Sequence, residues 1–419
     1  MDNVPTFGAL SDLKIIDLTQ MLAGPYGTMI LADHGATVIK VESSVGDLSR
    51  AGQYRDDDTQ RVLGGYFQSI NRNKLSICID LKTEQGREAL KVLVRDADAV
   101  VENFRAGVMD RLGVGYEVLK EINPRLVYGA LRGFGDERTG ASPYLDWPAY
   151  DVVAQAMGGI MAITGMDSAT PTKVGPGVGD IIPGMMLGFG VLAAIHHARR
   201  TGVGQFLDVA MTDAVLAICE RTIWQNSISG AVPGPEGNHH PFLCPFGVYP
   251  TKDGFVTLAA FQDSFFAILC GLLDVPKLAE DPRFLTREAR KAHKDDVIRE
   301  LSAQTQRFTK QELTTRLGGK IPFGPVMNVE DIVHDEHFQT REMMVEVENP
   351  GTGPVRIAGV PIKMASTPGR VSRRAPLLGE HNHEVLRDAG LSESEIEALS
   401  PTAKSGQQLD AGSILATGG

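Results

Sequence analysis

Among the chain's carboxylates, Asp180 stands in unusual company. It follows "GPGVG" and precedes the apolar run Ile181 to Ile195, which contains Pro183 near its start. Glycines let backbone approach a ligand closely, and a proline in a first helical turn costs no hydrogen bond. The pattern predicts a helix beginning near Pro183 with Asp180 beside its N-terminus. That end of a helix stabilises an anion by roughly 0.3–1 kcal/mol, so Asp180 is expected to be held ionised. An ionised carboxylate can act as a covalent catalyst. The same features also describe a plain N-cap, and on local features alone the cap is the weightier reading.

Other chemistries lack their residues. No GxGxxG follows the first strand candidate; the nearest match, "GFGVLA" (Gly188 to Ala193), lies inside the predicted helix, where its glycines would serve close helix packing. No GxxxxGK[ST] phosphate loop and no GxSxG elbow occur. The pairs His196-His197 and His239-His240 lack the i, i+4 spacing of a metal site, and no metal is expected. The four cysteines (Cys78, Cys219, Cys244, Cys270) form no CxxC pair, which fits a reducing cytoplasm.

These residues need elements to position them. "LKIIDLT" (Leu13 to Thr19), "ATVIKVE" (Ala36 to Glu42), "ADAVVEN" (Ala97 to Asn103) and "RLVYGALRGFG" (Arg125 to Gly135) read as buried strands, and "QFLDVA" as another. Helical spacing alternates with them, as in "EQGREALKVLVRD". Such alternation predicts an α/β fold with a parallel sheet. Ligands then sit at the carboxyl ends of the strands, near Thr19 to Pro25, Glu42 to Asp47 and Glu102 to Arg105. The Gly/Pro-rich break "SGAVPGPEGNHHP" ends a large domain at residue 228. A smaller α+β domain is expected over 229–335, a return to the large domain over 336–400, and a disordered tail over 401–419.

With 419 residues, two domains are the natural expectation. The 42% hydrophobic content is that of a globular chain, and the net charge of −11 without basic clusters argues against nucleic acid and anionic membranes. The N-terminus carries no secretory pattern, and the run from Ile181 is short for a span of roughly 20 residues.

Eight segments change the weight given to Asp180. "LAGPYGTMILADHGATVIKVE", "NRNKLSICIDLKT", "DAVVENFRAGVMDRLGVGYEVL", "NPRLVYGALRGFG", "YDVVAQAMGG", "GDIIPG", "ARRTGVGQFLDVAM" and "RAPLLGEHNHEVL" occur in order between about residues 8 and 398. Together they resemble the class III CoA-transferase family, which includes formyl-CoA transferase, carnitine CoA-transferase and, more distantly, α-methylacyl-CoA racemase.

The resemblance implies a Rossmann-like large domain, a small domain and an interlocked homodimer. It implies transfer of CoA from an acyl-CoA to a free carboxylic acid, with CoA as substrate rather than resident cofactor. The family's catalytic aspartate matches Asp180 in Gly179-Asp180, with Tyr150 and Asp151 lining the same site. CoA contacts fall on Leu22, Ala23, Leu81, Lys82, Asn103, Phe104, Arg105 and Arg111. Lys82, Arg105 and Arg111 suit phosphates, and Phe104 suits the adenine. Oxyanion donors are expected from backbone amides near Gly158 and Gly159 or in "GPGVG". Leu22, Ser43 and Gly52 replace a glutamine, an arginine and a gating tryptophan of formyl-CoA transferase, and "GPEGNHHP" replaces its glycine run. These departures point away from formate and oxalate. Arg72 or His239 would hold the distal carboxylate of a dicarboxylic acid. Two alternatives stay open: an acyl-CoA racemase, whose histidine base is Tyr150 here, and a non-catalytic CoA-binding protein.

Overall fold

A computed structural model describes residues 7–51, 64–350 and 353–399. Gly52 and the tail beyond residue 400 lie outside the described residues. The chain groups into two units. The first comprises the residues up to Gly158, Pro176–Ile218 and those from Glu342 onward; the second comprises Gly159–Gly175 and Cys219–Arg341. Against the expected boundaries at 228 and 335, the second unit thus starts and ends elsewhere and also takes in 159–175. That segment is joined to it by contacts distant in sequence, such as the Gly237 N–H donating to the Gly165 carbonyl at 3.0 Å.

The first unit alternates strand and helix: β1 (Lys14–Asp17), α1 (Ala23–Asp33), β2 (Thr37–Glu42), α2 (Gly65–Asn71), β3 (Leu75–Cys78), α3 (Glu84–Val94), β4 (Ala99–Glu102), α4 (Val108–Arg111), α5 (Tyr116–Ile122), β5 (Val127–Arg132) and α6 (Asp151–Met157). After α7 (Ile160–Ile163), which belongs to the second unit, come α8 (Val178–Thr201), β6 (Phe206–Ala210) and α9 (Met211–Ile218). The six strands pair in parallel in the order β3-β2-β1-β4-β5-β6. The order reverses between β1 and β4, which opens a crevice at their carboxyl ends. β4 and β5 are buried at every position, as expected of strands covered on both faces. β3 is an apolar run broken by Ser76, too little pattern to be read as a strand from sequence.

α8 begins at Val178, five residues before the proline that was expected to open it, so Pro183 sits inside the helix. Gly177 makes the early start feasible: its carbonyl accepts from the N–H groups of Asp180 (3.1 Å) and Ile181 (2.8 Å). By length and hydropathy α8 is apolar enough to cross a membrane. Here it packs on the sheet and on α1. Added methyls at Gly27 and Gly184 would overlap the carbonyl oxygens of Gly184 and Ala23, so the two helices cross backbone against backbone.

The second unit contains an antiparallel sheet of β7 (Gly247–Pro250), β8 (Phe255–Leu258) and β9 (Phe323–Pro325), with helices Asp263–Leu272, Lys294–Thr305 and Lys310–Leu317 around a core of Tyr249, Val256, Phe266 and Leu301.

Candidate active site

The crossing of α1 and α8 brings two expected site segments together. Leu22 caps α1, and its side chain lies against Gly177, where a β-carbon would stand 3.1 Å from the Leu22 Cδ2. Three residues on from Gly177, Asp180 occupies the first turn of α8. Asp151 opens α6, and its Oδ1 accepts the Gly179 N–H at 2.8 Å. The Gln155 amide donates to both Asp151 oxygens, at 3.0 and 2.9 Å. Gly179 must be glycine for this docking, because a β-carbon there would meet the Asp151 carbonyl oxygen at 2.5 Å.

The expectation that the helix N-terminus holds Asp180 ionised is corrected by this geometry. The N-terminal amide of α8 at Gly179 serves Asp151 instead. Burial, followed by the neighbouring Asp151 carboxylate, pushes the Asp180 carboxyl up to about 7. Asp151 is held by amide donors, and Asp180, buried beside it, carries the raised carboxyl.

Tyr66, on α2, was not singled out by its sequence. Burial and the charges of Asp180, Asp47 and Asp151 push its phenol up to about 12, which places it within electrostatic reach of both aspartates. No motif marks "GYFQSIN", and Tyr66 is 41% exposed. Tyr150, the N-cap of α6, is 61% exposed.

The expected CoA contacts lie in the loops after β1, β3 and β4, at the carboxyl end of the sheet, and on α4. Lys82, Arg105 and Arg111 are exposed and Leu81 is half-buried. Phe104 is half-buried against the core, and its backbone is pinned at both ends: its N–H donates to Glu102 Oε2 (2.7 Å) and its carbonyl accepts from Arg132 Nη1 (2.7 Å). Burial pushes the Glu102 carboxyl up to about 7 despite Arg132. The Asn103 amide is spent on the Gln20 backbone, accepting its N–H and donating to its carbonyl, each at 2.8 Å, so it bridges the β1–β4 crevice. Below lies a buried ionic layer. Lys74 Nζ donates to Asp17 (2.9 Å), Thr28, Asn71 and the Pro25 carbonyl. Burial lowers this lysine to about 8, while Lys74 and Lys40 overcome the burial of Asp17 and hold it down to about 2.

Two further expectations are corrected. Arg72 is not free for a substrate: it is buried and bonds Asp33 through Nε (3.0 Å) and Nη2 (2.7 Å) and the Ala358 carbonyl through Nη1 (2.8 Å). The Gly158 N–H is spent on the Ala154 carbonyl at 2.8 Å, inside α6, and cannot serve an oxyanion. His239 lies in the second unit, its ring edge-on to Tyr249 with centroids 5.3 Å apart.

Two aspartates, Asp151 and Asp180, thus meet where α6 docks on the start of α8, in the unit that carries the parallel sheet. Residues 10–382 match the model of CoA-transferase family III, and the chain belongs to that family. It is 46% identical over 386 residues to the succinyl-CoA:mesaconate CoA-transferase of Haloarcula hispanica, covering 92% of this chain and 97% of that one. It is 38% identical to the succinate–glutarate CoA-transferase of Agrobacterium fabrum, covering 94% and 97%. The crystal structure of a CAIB/BAIF family protein from Brucella suis superposes with a TM-score of 0.82 at 34% identity, over 91% of this chain and all of that one.

Proposed function

We propose that this enzyme moves CoA from succinyl-CoA to a small free carboxylic acid, a dicarboxylate foremost, through covalent intermediates on Asp180. The observation that carries the reading is Asp180 itself, a carboxyl pushed up to about 7 beside Asp151 and reached through a glycine-lined helix start. A more basic carboxylate is the better nucleophile once ionised, and near neutral pH a large fraction is ionised. The dicarboxylate preference follows the two relatives, which are named for succinyl-CoA or succinate together with mesaconate or glutarate.

The steps balance without a further reactant. The Asp180 carboxylate attacks the thioester carbonyl, the C–S bond breaks, and CoA leaves as thiolate from a mixed anhydride. The thiolate attacks the aspartyl carbonyl, the donor acid departs as carboxylate, and an aspartyl–CoA thioester remains. The acceptor carboxylate attacks that thioester, and the thiolate then attacks the acceptor's acyl carbon, which restores Asp180. Each attack raises charge on a carbonyl oxygen, and preorganised donors lower that cost. The Tyr66 phenol, held protonated by its surroundings, is the side chain suited to donate to that oxygen.

Lys82, Arg105 and Arg111 are exposed cations suited to the CoA phosphates. The homodimer in which two chains interlock belongs to the same reading. It is supported by apolar side chains left open to solvent, Phe189 on α8 (76% exposed) and, in the second unit, Ile228 (79%). The direct test incubates the protein with succinyl-CoA and a panel of free acids, with mass spectrometry as the readout. New acyl-CoA species are expected, and hydroxylamine should trap a label on Asp180. Absence of any transfer across the panel would sink the reading.

A further inference from the structure

The turn joining β1 to α1 is held at every residue. Asp17 Oδ1 accepts the Thr19 N–H (2.9 Å) and hydroxyl (2.5 Å), and Lys40 Nζ donates to the Thr19 carbonyl (2.6 Å). Asn103 holds both backbone groups of Gln20. Asp47 Oδ1 accepts the Met21 N–H at 3.1 Å. Met21 has φ +66°, a left-handed conformation that residues with a side chain adopt at a cost. Leu22 and Ala23 follow directly. Such strain persists only where the surroundings over-determine it, and it gathers at functional sites.

The Met21 contact rests on a buried pair. Lys40 Nζ and Asp47 Oδ2 lie 2.8 Å apart, and neither side chain has any exposed surface. Asp47 is fixed further by accepting the Ser49 N–H (2.9 Å) and hydroxyl (2.7 Å), and its own N–H donates to Glu42 Oε2 (3.0 Å). A buried ion pair adds little net stability compared with well-packed apolar side chains. Its position beneath a strained turn calls for another account.

We propose that Asp47, held by Lys40, is a positioning residue for the transfer reaction: it fixes Met21 in its left-handed conformation and thereby sets Leu22 against Gly177, ahead of Asp180, and Ala23 against Gly184 for acyl-CoA binding. The proposal rests on the CoA-transfer reading. Its chemistry is specific. Asp47 has two acceptor oxygens, one for Lys40 and one for Met21 and Ser49. An asparagine has one, so it cannot satisfy both sides. Glycine at position 21 adopts positive φ freely and no longer needs the restraint, whereas a β-branched valine is a strong outlier there.

The experiment uses full-length protein, succinyl-CoA as donor and an acceptor acid that wild type accepts, and it measures kcat and KM for Asp47→Asn, Met21→Val, Met21→Gly and the Met21→Gly/Asp47→Asn double variant. Asp47→Asn and Met21→Val are each expected to raise KM for succinyl-CoA about tenfold with kcat altered about threefold or less. The double variant should return KM to within about threefold of Met21→Gly alone, a rescue that general loss of stability would not give. If Asp47→Asn does not fold, Met21→Val decides alone, since it leaves the ion pair intact. A Met21→Val KM within about twofold of wild type overturns the proposal, as does a double variant no better than Asp47→Asn. Wild type that transfers no CoA at all overturns the underlying reading, and the proposal with it.

Discussion

The surroundings of Asp180, the proposed nucleophile, have two opposite consequences. Because burial and Asp151 raise the Asp180 carboxyl to about 7, its reactive form is lost as pH falls through that value. The kcat/KM for CoA transfer should climb about tenfold per pH unit below about 7 and level off above it; a profile flat from pH 5 to 8 would contradict the assignment. Stability runs the other way. The native group holds its proton up to about 7, while the unfolded group releases it near 4, so the native state binds more protons in between and stability falls as pH rises through that window. Asp180→Asn should therefore abolish transfer, by about a thousandfold or more, yet melt higher than wild type at pH 8, with the difference gone below pH 4. Equal melting temperatures at pH 8 would mean that Asp180 is better solvated than its surroundings imply. Tyr66→Phe removes one proposed oxyanion donor and should lower kcat about 10- to 100-fold with little change in melting temperature; a kcat within about twofold of wild type would remove Tyr66 from the mechanism. Asp180 was legible in the sequence through its glycines and its family segment. Tyr66 was not, since a tyrosine in a seven-residue helix carries no local sign of what the fold brings beside it.

At the scale of elements, the site depends on where α8 starts and what it crosses. Its sequence points to a start near Pro183, because proline favours first turns. The actual start at Val178 depends on Gly177 and Gly179 and on the docking of α6, which are tertiary facts. The glycines of "GFGVLA" were read as packing residues, and Gly188 does lie against Gly27, 3.3 Å from its carbonyl oxygen to the β-carbon it lacks. Gly184→Ala would force that methyl into the Ala23 carbonyl. A cost of about 1–3 kcal/mol is expected, read as a lower denaturation midpoint, together with a fall in kcat/KM because α1 carries Leu22. Unchanged stability would show that the crossing is looser than its geometry. β1, β2, β4 and β5 read as strands from their apolar runs, whereas β3 is visible only beside β2.

For the molecule as a whole, the parallel sheet follows from alternation, but the strand order that opens its crevice and the unit boundaries do not. Gly159–Gly175 joins the second unit through backbone contacts that no composition shift signals. Periodicity likewise says nothing of the proposed subunit association, for which the exposed apolar side chains of Phe189 and Ile228 are the structural argument. If the chains interlock, light scattering should report a dimer that persists on dilution to nanomolar concentrations, because separation requires unfolding. A compact monomer would rule this out.

The glycine crossing of α1 over α8 also bears on how such an enzyme can diversify. Where α1 crosses α8, main chain lies against main chain at Gly27 and Gly184, so the separation of the two helices there depends on residues that carry no side chain. Substitutions in the surrounding loops can then alter the lining of the site while the two helices keep their separation. The crossing is stored in the part of the chain that tolerates no added atom, which leaves the loops free to vary.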